Sequence, residues 1–322
     1  HDGSIVKFKD GMSADYEQDQ SLEFTLRATD PDNLYKDQAF SLNVLDDTSD
    51  NFVNLTKEDL ALKEEHYGSD LADKMDAGDL LSNLKLFGGK GHDELLGGKG
   101  HDELHGGDDN DILEGKDGND TLIGGLGNDV LDGGLGNDTI VFGDLDTEVA
   151  LAFWRNNKVQ DTGHGLDTIA TATIENITSG SGHDVLWGQA LDNKFESGSG
   201  NDRLYGHNGD DILNGGEGND RLYGQNDDDI LIGGLGNDVL NGGLGIDTFQ
   251  FWSNDGNNII KDFSILEGDK IQLMKTSNED SNVTYSSNGN DTVVSWNKLS
   301  IILHNFDDHD QIAQHVEWYF IQ

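Results

Sequence analysis

The chain has 322 residues, with 63 acidic and 20 basic side chains, a formal net charge of −43 at pH 7 and 34% hydrophobic residues. An acidic chain of this kind is not expected to bind nucleic acid, which requires basic patches, and no apolar run reaches the roughly 18 residues that a membrane span needs. The high charge and the low content of hydrophobic residues exclude ordinary core burial as the main source of stability, and the absence of cysteine excludes disulfides. We therefore expect bound cations to neutralise the charge and stabilise the fold.

Residues 1–52 contain three runs in which apolar and polar residues alternate. These runs, SIVKF, LEFTLRA and AFSLNVL, predict β-strands. Together with ADYEQ, ATDPDN and LDDTSDN they resemble part of a cadherin-like sandwich module, although Ser49 stands where that family usually has Asn. The resemblance implies calcium ligation by Glu17, Asp30, Asp32 and Asp50. Solvated surface charge is the alternative interpretation of these four residues.

Residues 53–87 show a helical pattern and are predicted to form a helical cap or linker. Thr56 and Asp59 have the spacing of a capping box, and Ser69 is a candidate N-cap for a second helix. An apolar stripe is predicted from Leu80, Leu81, Leu84 and Leu86. We expect these helices to cover the N-terminal end of the following domain.

Residues 88–141 and 179–250 consist of a nonapeptide that repeats six and eight times without an insertion or deletion. The repeat is G-G-x-G-x-D-x-U-x, where U is a large apolar residue, and this pattern is typical of calcium-binding parallel β-helices. Glycine at the first, second and fourth places permits a tight turn with positive φ, which directs several carbonyl oxygens to one point. The eighth place is always apolar, so stacked turns can share a core that one nonapeptide cannot form. A flexible glycine-rich linker is the alternative, but linkers do not keep an apolar residue at every ninth position.

The sixth place of the repeat carries a carboxylate in every unit but one. These residues are Asp93, Asp102, Asp111, Asp120, Asp129, Asp138, Asp184, Asp202, Asp211, Asp220, Asp229, Asp238 and Asp247. Carboxylate and carbonyl oxygens together suit Ca²⁺, which takes about six to eight oxygen ligands. We therefore predict an all-β fold dominated by a calcium-loaded parallel β-roll in two blocks, with several bound Ca²⁺ ions as its cofactor.

The two blocks resemble the RTX repeats of bacterial proteins exported by type I secretion, and the resemblance covers about two fifths of the chain. It implies that the sixth-place aspartates and glycine carbonyls hold each ion between stacked turns. The matching glycines are Gly89, Gly91, Gly125, Gly127, Gly216, Gly218, Gly234 and Gly236. The pattern is broken where Asn193 replaces the aspartate and where Leu191, Asp109 and Asp227 replace the fourth-place glycine.

Residues 142–178 separate the blocks and contain DTGHGLDTIATATIENIT, which resembles the strand-rich spacers between RTX blocks. We expect this β-strand spacer to end one roll and begin the next. Residues 251–322 are predicted to form a C-terminal cap that begins with NIIKDFSILEGDKIQL, similar to the element that ends many RTX rolls. Alternating Ile259, Phe263, Ile271 and Leu273 are expected to cover the core.

The last part of this region is predicted to contain a hairpin in DTVVSWNKLSIILHNF, then a short helix and an aromatic end. In the resembling family, the type I secretion signal lies in the last several dozen residues. An ordinary capping element is the alternative, and one segment can serve both roles.

Enzyme signatures are missing from the sequence. It contains neither the H-E-x-x-H motif of zinc proteases nor the G-x-S-x-G nucleophile elbow. His92 and His101 occupy the fifth place of the repeat, where we expect solvated turn residues and not zinc ligands. We therefore expect no enzymatic activity in this chain.

Three classes of function are compatible with the resemblance. The first is the calcium-binding C-terminal region of a secreted adhesin at the bacterial cell surface, which the cadherin-like segment favours. The second is the tail of a secreted lipase, protease or epimerase, and the third is an ice-binding roll. An ice-binding face requires a regular ladder of residues such as Thr at one turn position. The third place of this repeat holds a mixture of residues, which disfavours ice binding. The expected partners are calcium ions, the type I secretion apparatus and a surface glycan or protein ligand.

Overall fold

The computed structural model of the protein divides into two compact units, His1–Asn51 and Phe52–Gln322. The residues that it describes are 21–29, 35–43, 53–143, 148–155, 157–275, 282–306 and 309–320. In the first unit, Ser21–Thr29 pairs antiparallel with Tyr35–Asn43, which confirms strands at two of the three predicted runs. The run SIVKF and the candidate ligands Glu17, Asp30, Asp32 and Asp50 lie outside the described residues.

The second unit is a parallel β-roll whose successive strands alternate between two faces. One face is a single sheet, the long sheet, which has 13 strands among the described residues. The other face consists of an N-terminal sheet of seven strands and a C-terminal sheet of nine strands, counted over the same part of the chain. This all-β solenoid confirms the predicted fold class.

The strands of the long sheet are Glu65–Tyr67, Lys85–Lys90, Glu103–Asp108, Thr121–Leu126, Thr139–Val141, Asn176–Thr178, Lys194–Glu196, Ser199–Gly200, Ile212–Gly218, Ile230–Gly236, Thr248–Trp252, Lys270–Lys275 and Val316–Phe320. Those of the N-terminal sheet are Asn54–Leu55, Lys74–Asp76, Glu94–Leu96, Ile112–Asp117, Val130–Leu135, Lys158–Asp161 and Leu166–Ile169. Those of the C-terminal sheet are Ala150–Ala152, Val185–Trp187, Arg203–His207, Arg221–Asn226, Val239–Leu244, Asn257–Ile260, Thr284–Asn288, Asp291–Trp296 and Leu299–Leu303. The described helices are short: α-helices Lys57–Leu60 and His309–Ile312, and 3₁₀ turns Phe153–Arg155 and Thr171–Thr173.

Two nonapeptides make one coil, so strands on the same face pair at a spacing of 18 residues. Leu104 pairs with Leu122, and Leu213 pairs with Leu231. All eighth-place side chains are at most 1% exposed and belong to one core: Leu95, Leu104, Leu113, Leu122, Leu131, Ile140, Leu186, Phe195, Leu204, Leu213, Leu222, Leu231, Leu240 and Phe249. The apolar ladder predicted from the repeat is therefore the core of the roll.

The prediction of a helical segment at residues 53–87 is wrong except for one short helix. At Lys57–Leu60 the Asp59 carboxylate accepts hydrogen bonds from the Thr56 N–H at 3.0 Å and hydroxyl at 2.8 Å, as the capping box predicts. The remainder forms strands in register with the first block, since Met75 pairs with Leu95 and Leu86 with Leu104.

The leucines of this segment were misassigned because a two-residue spacing also fits a strand. Leu84 and Leu86 are buried at alternate positions, whereas Leu81 is 79% exposed and Leu80 is partly buried. Ser69 is not a helix N-cap; its side chain donates a hydrogen bond to Asp73. The roll therefore begins before the first perfect repeat.

The spacer continues the roll on one face and interrupts it on the other. Asn176–Thr178 lies between Thr139–Val141 and Lys194–Glu196, so the long sheet runs through both blocks. On the second face, Leu166–Ile169 extends the N-terminal sheet, and Ala150–Ala152 begins the C-terminal sheet. The expectation that the spacer ends one roll and starts another is thus wrong for the long sheet, and the two blocks share one core.

The segment after the second block adds further coils. Phe263, Ile271 and Leu273 are buried as predicted, but Ile260, which pairs with Leu240, takes the core position predicted for Ile259.

The predicted hairpin is present at Asp291–Trp296 and Leu299–Leu303, and its second strand pairs with Asn257–Ile260. The short helix is followed by the strand Val316–Phe320, which pairs with Lys270–Lys275. Among the described residues, no helix has the length and apolar character of a membrane span.

Candidate calcium sites

The sixth-place aspartates are buried in the turns that join the two faces. All thirteen are at most 2% exposed, and each uses Oδ1 to accept a backbone N–H from the preceding coil. For example, the Asp211 N–H donates to Asp229 Oδ1 at 2.9 Å, and the Asp111 N–H donates to Asp129 Oδ1 at the same distance. One oxygen of every carboxylate therefore holds neighbouring coils in register.

The second oxygen of most of these carboxylates has no hydrogen-bond donor. Among the described residues, Oδ2 is buried and unpartnered in Asp93, Asp111, Asp120, Asp129, Asp138, Asp202, Asp211, Asp220, Asp229 and Asp238. A buried acceptor without a partner costs about 1–3 kcal/mol, and more when it is charged. These ten oxygens need either a proton or a cation.

The first-place glycine makes room for this second oxygen. A Cβ atom at Gly224 would lie 2.0 Å from Asp229 Oδ2 and 2.6 Å from the Gly242 carbonyl oxygen. At Gly106 the same atom would lie 2.4 Å from Asp111 Oδ2 and 2.5 Å from the carbonyl oxygen of Gly124, the first-place glycine one coil later. A side chain at either glycine would fill this cradle of carboxylate and carbonyl oxygens.

The predicted carbonyl ligands lie in the same turns. The glycines Gly89, Gly91, Gly125, Gly127, Gly216, Gly218, Gly234 and Gly236 all have φ between 92° and 150°. Among the departures from the pattern, Asp109 and Asp227 keep the positive φ of the glycine that they replace, at 81° and 74°. Leu191 does not have a positive φ, so the turn is altered in that unit.

The donor set favours calcium over zinc. In the part of the chain that the structure describes, no three His, Cys, Asp or Glu side chains converge on one point. A cation in these turns must therefore combine one or two carboxylates with several carbonyl oxygens, which suits a hard ion such as Ca²⁺. The residues present fit a bound calcium ion, although ligation by each predicted residue stays a prediction.

Burial changes the acidity of the carboxylates in the metal-free fold. Loss of solvation raises the pKa of Asp111, Asp211 and Asp229 to about 8. The same cause raises the pKa to about 7 in Asp138, Asp220, Asp238 and Asp247, and to about 6 in Asp93, Asp120, Asp129 and Asp202. Since a cation requires the ionised carboxylate, calcium and protons compete for these sites.

Sequence reasoning missed carboxylates that take the sixth-place position in irregular coils. Asp167 Oδ1 accepts the Asp129 N–H at 2.8 Å, Glu175 Oε2 accepts the Asp138 N–H at 2.9 Å, and Asp269 Oδ1 accepts the Asp247 N–H at 3.1 Å. The hydrogen-bonded ladder therefore continues through the spacer and beyond the second block.

Some sixth-place carboxylates have a local hydrogen-bond donor where the others have none. The Ser179 hydroxyl donates to Asp184 Oδ2 at 2.6 Å, and the Thr162 hydroxyl donates to Asp167 Oδ2 at 2.5 Å. In both pairs the hydroxyl residue stands five positions before the aspartate, where most other turns have glycine. The hydroxyl alone is not sufficient, because Ser197 at the same place donates to the Gly215 carbonyl oxygen and leaves Asp202 Oδ2 without a donor.

Replacing Ser179 by glycine is expected to create one additional calcium site. Ser179→Gly removes the only hydroxyl that donates to Asp184 Oδ2 among the described residues and restores the first-place glycine of the other turns. Isothermal titration calorimetry should show one more ion bound per chain. Ser199→Gly, at the third place of the corresponding unit one coil later, is the matched control and should leave the number unchanged. Equal stoichiometry in Ser179→Gly and the unaltered chain would contradict the expectation.

The fifth place forms a second ladder on the solvent side of the turns. His101 Nδ1 accepts the Asn119 N–H at 2.7 Å, and the Asn201 side-chain oxygen accepts the Asn219 N–H at 2.9 Å. His92 Nδ1 accepts the Asn110 N–H at 3.0 Å, and both His92 and His101 are exposed. The prediction of solvated turn residues is confirmed, with the addition that in these coils the side chain accepts a hydrogen bond from the next coil.

Comparison with known proteins agrees with this geometry. The RTX calcium-binding nonapeptide repeat matches in four copies, at residues 85–113, 105–140, 187–222 and 214–249. No curated protein matches the chain. Among solved structures, the extracellular lipase LipA from Serratia marcescens is similar, with 19% sequence identity and a TM-score of 0.30 over 75% of this chain and 40% of the lipase chain. The chain thus spans less than half of the lipase chain. From the repeat match, the present chain carries RTX calcium-binding repeats.

Proposed function

We propose that this chain is the calcium-binding RTX module of a large secreted bacterial adhesin, and that it folds on calcium after export and supports attachment at the cell surface. The observation that carries the proposal is the set of ten buried carboxylate oxygens without a donor. A bound Ca²⁺ ion supplies the positive charge that these oxygens lack. The protein contributes the pre-formed turns, the hydrogen-bonded ladder and the apolar core.

The proposed folding switch follows from mass action. A ligand that binds only the folded state stabilises it in proportion to the logarithm of its concentration. In a cytosol with little free calcium, self-repulsion at a net charge of −43 keeps the chain open and suited to threading through an export channel. Outside the cell, calcium binding drives the roll to fold.

Export by a type I apparatus is the second part of the proposal, with the signal placed in residues 251–322. We expect a chain that lacks these residues to accumulate in the cytosol of a host with the exporter, whereas the full chain appears in the medium. Equal export of both chains would show that the signal does not lie in this segment.

The adhesive role is favoured over an enzyme tail by the separate N-terminal unit, in which two nine-residue strands pair antiparallel as in a β-sandwich. We propose no catalytic role for the chain itself. The alternative is the C-terminal tail of a secreted lipase, protease or epimerase. The coding sequence upstream of His1 distinguishes the two, because tandem sandwich modules support the adhesin and a catalytic domain supports the enzyme tail.

A further inference from the structure

The outer surface of the C-terminal sheet carries a column of aromatic side chains. Trp187, Tyr205 and Tyr223 occupy the ninth place in successive coils, and all three are half-buried. Their rings stack nearly parallel, with centroids 5.7 Å and 4.9 Å apart and interplanar angles of 7° and 5°. A half-buried stack of this kind is a firm surface, because each ring restricts the rotamers of its neighbour.

Two arginines lie beside this column. Arg203 and Arg221 pair in register on adjacent strands, two positions before Tyr205 and Tyr223, and both are exposed. Like charges directly opposite each other destabilise a sheet. Neither guanidinium group has an ion pair or hydrogen bond with another described residue, although the chain contains 63 acidic residues.

The lysines of the same unit provide a contrast. Eight of those in the described segments form ion pairs with carboxylates: Lys57, Lys74, Lys85, Lys90, Lys99, Lys116, Lys194 and Lys270. The two neighbouring arginines therefore differ from most lysines of the roll. Among the described residues no carboxylate neutralises their charge, which can therefore attract an anionic ligand.

An open groove adjoins the aromatic column. It has a volume of about 490 Å³ and is lined by Gly188, Gln189, Ala190, His207 and Asn208. Gly188 directly follows Trp187, and His207 lies two positions after Tyr205. The volume is within the range of small-ligand sites, roughly 300–1,000 Å³.

The groove occurs at the repeat in which the calcium pattern fails. Asn193 replaces the sixth-place aspartate, and its Nδ2 donates to the Glu175 carbonyl oxygen at 3.0 Å. Asn193 Oδ1 takes the place of the second carboxylate oxygen of other turns, 2.5 Å from a Cβ atom placed on Gly188, and accepts the Gln189 N–H at 3.1 Å, so this turn lacks the carboxylate charge. Leu191 lacks the positive φ of the fourth-place glycine, and Ala190 beside it lines the groove. This turn has lost features of a cation site and contributes to a concave surface.

We propose that the aromatic column, the arginine pair and the groove, together called the arginine–aromatic face, bind an acidic polysaccharide. Guanidinium groups recognise carboxylates through paired hydrogen bonds. Tyr and Trp offer apolar edges with polar atoms at their ends, which suits sugar rings. The two guanidinium groups repeat at the strand spacing, about 4.8 Å, so the ligand must present negative charges at a short regular interval, as a chain of uronic acids does.

The groove completes the site with uncharged polar groups. Gln189, His207 and Asn208 can exchange hydrogen bonds with sugar hydroxyls. This inference deepens the proposed adhesive function by naming its ligand class, and it rests on that function for its biological role. The binding reaction itself depends only on the calcium-folded roll.

The test is calorimetric titration of the calcium-loaded chain with short oligogalacturonides, and with neutral malto-oligosaccharides of equal length. We expect binding of the acidic oligosaccharide only. The double variant Arg203→Gln/Arg221→Gln should lose at least about tenfold in affinity, because each charge-assisted hydrogen bond exceeds one tenfold step in free energy. The matched variant Lys85→Gln/Lys194→Gln makes the same change in net charge on the long sheet and should bind within about twofold of the unaltered chain.

Circular dichroism of all variants in calcium separates loss of binding from loss of fold. Tyr205→Phe keeps the stack and should retain most affinity, whereas Tyr205→Ala should weaken binding without affecting calcium stoichiometry. A chain that folds on calcium but does not bind oligogalacturonides would overturn this inference and leave the proposed folding switch intact. Equal binding of the neutral oligosaccharide, or of a short DNA duplex, would also overturn it.

Discussion

Asp229→Asn is expected to lower the free energy of unfolding in saturating calcium by about 3 kcal/mol, the stabilisation from one ion at about 100 times its Kd. The side-chain oxygen of asparagine can still accept the Asp211 N–H, which Asp229 Oδ1 accepts at 2.9 Å. The amide nitrogen, however, replaces the unpartnered Oδ2 and removes the charge that attracts the cation. Asn193 is a natural asparagine at the sixth place, where Oδ1 takes the position of the second carboxylate oxygen and Nδ2 donates to the Glu175 carbonyl oxygen.

The same variant should behave differently without metal. In the calcium-free fold, Asp229 is a buried carboxyl whose pKa is raised to about 8 by loss of solvation, so at pH 5, where it is protonated, its replacement by asparagine should not destabilise that state. Asp228→Asn is the matched control, because Asp228 is exposed and an asparagine can keep its hydrogen bond to the Ile246 N–H. Denaturant unfolding of both variants, in calcium at pH 8 and without calcium at pH 5, where the calcium-free chain is expected to be compact, measures the difference. A loss of stability in Asp229→Asn that is equal in both conditions would assign the residue a purely structural role.

Acidification is expected to make the calcium-free chain more compact. Burial raises the pKa of Asp111 and Asp211 to about 8 and of Asp220 to about 7, whereas an unfolded aspartate titrates near about 4. Between these values the folded state holds more protons than the unfolded state. The free energy of unfolding therefore rises as the pH falls from about 8 to 6. This stabilisation by protonation is lost again as the pH rises.

This pH dependence is opposite to that of carboxylates held in salt bridges, because the proton takes the place of the cation. Far-UV circular dichroism in buffer stripped of calcium should show a gain of β-structure between pH 8 and pH 5, above the sequence pI of 4.1. In saturating calcium the spectrum should change little over the upper part of this range. A calcium-free chain that loses structure on acidification would contradict the assignment of these aspartates to the buried turn positions.

The repeat predicted the regular part of the roll because its nine-residue period places the same contact in every coil. Glycine at the first place, Asp229 at the sixth and Leu231 at the eighth have roles that depend on neighbouring coils of the same sequence. The burial of all sixth- and eighth-place residues could therefore be read from the pattern. The unpartnered second oxygen could not, because it depends on which donors lie in the next coil.

The irregular coils were harder to predict because their contacts come from different residue types. At residues 53–87, Leu84 and Leu86 fit both a helical stripe and a strand, and only pairing with the first repeat decides between them. Glu175 in the spacer replaces a sixth-place aspartate with a longer side chain, so no motif marks it. The arginine–aromatic face depends on the alignment of Arg203 with Arg221, which follows from the 18-residue coil once the roll is established.

Calcium titration of the stripped chain at pH 8, followed by circular dichroism and small-angle X-ray scattering, tests the central claim most directly. Without calcium the chain should be expanded and lack the β-sheet signal, because most of the ten buried carboxylates then have neither a proton nor a cation. Addition of calcium should produce a cooperative gain of β-structure and a compact particle. A chain that is fully folded in calcium-free buffer at this pH would contradict the account.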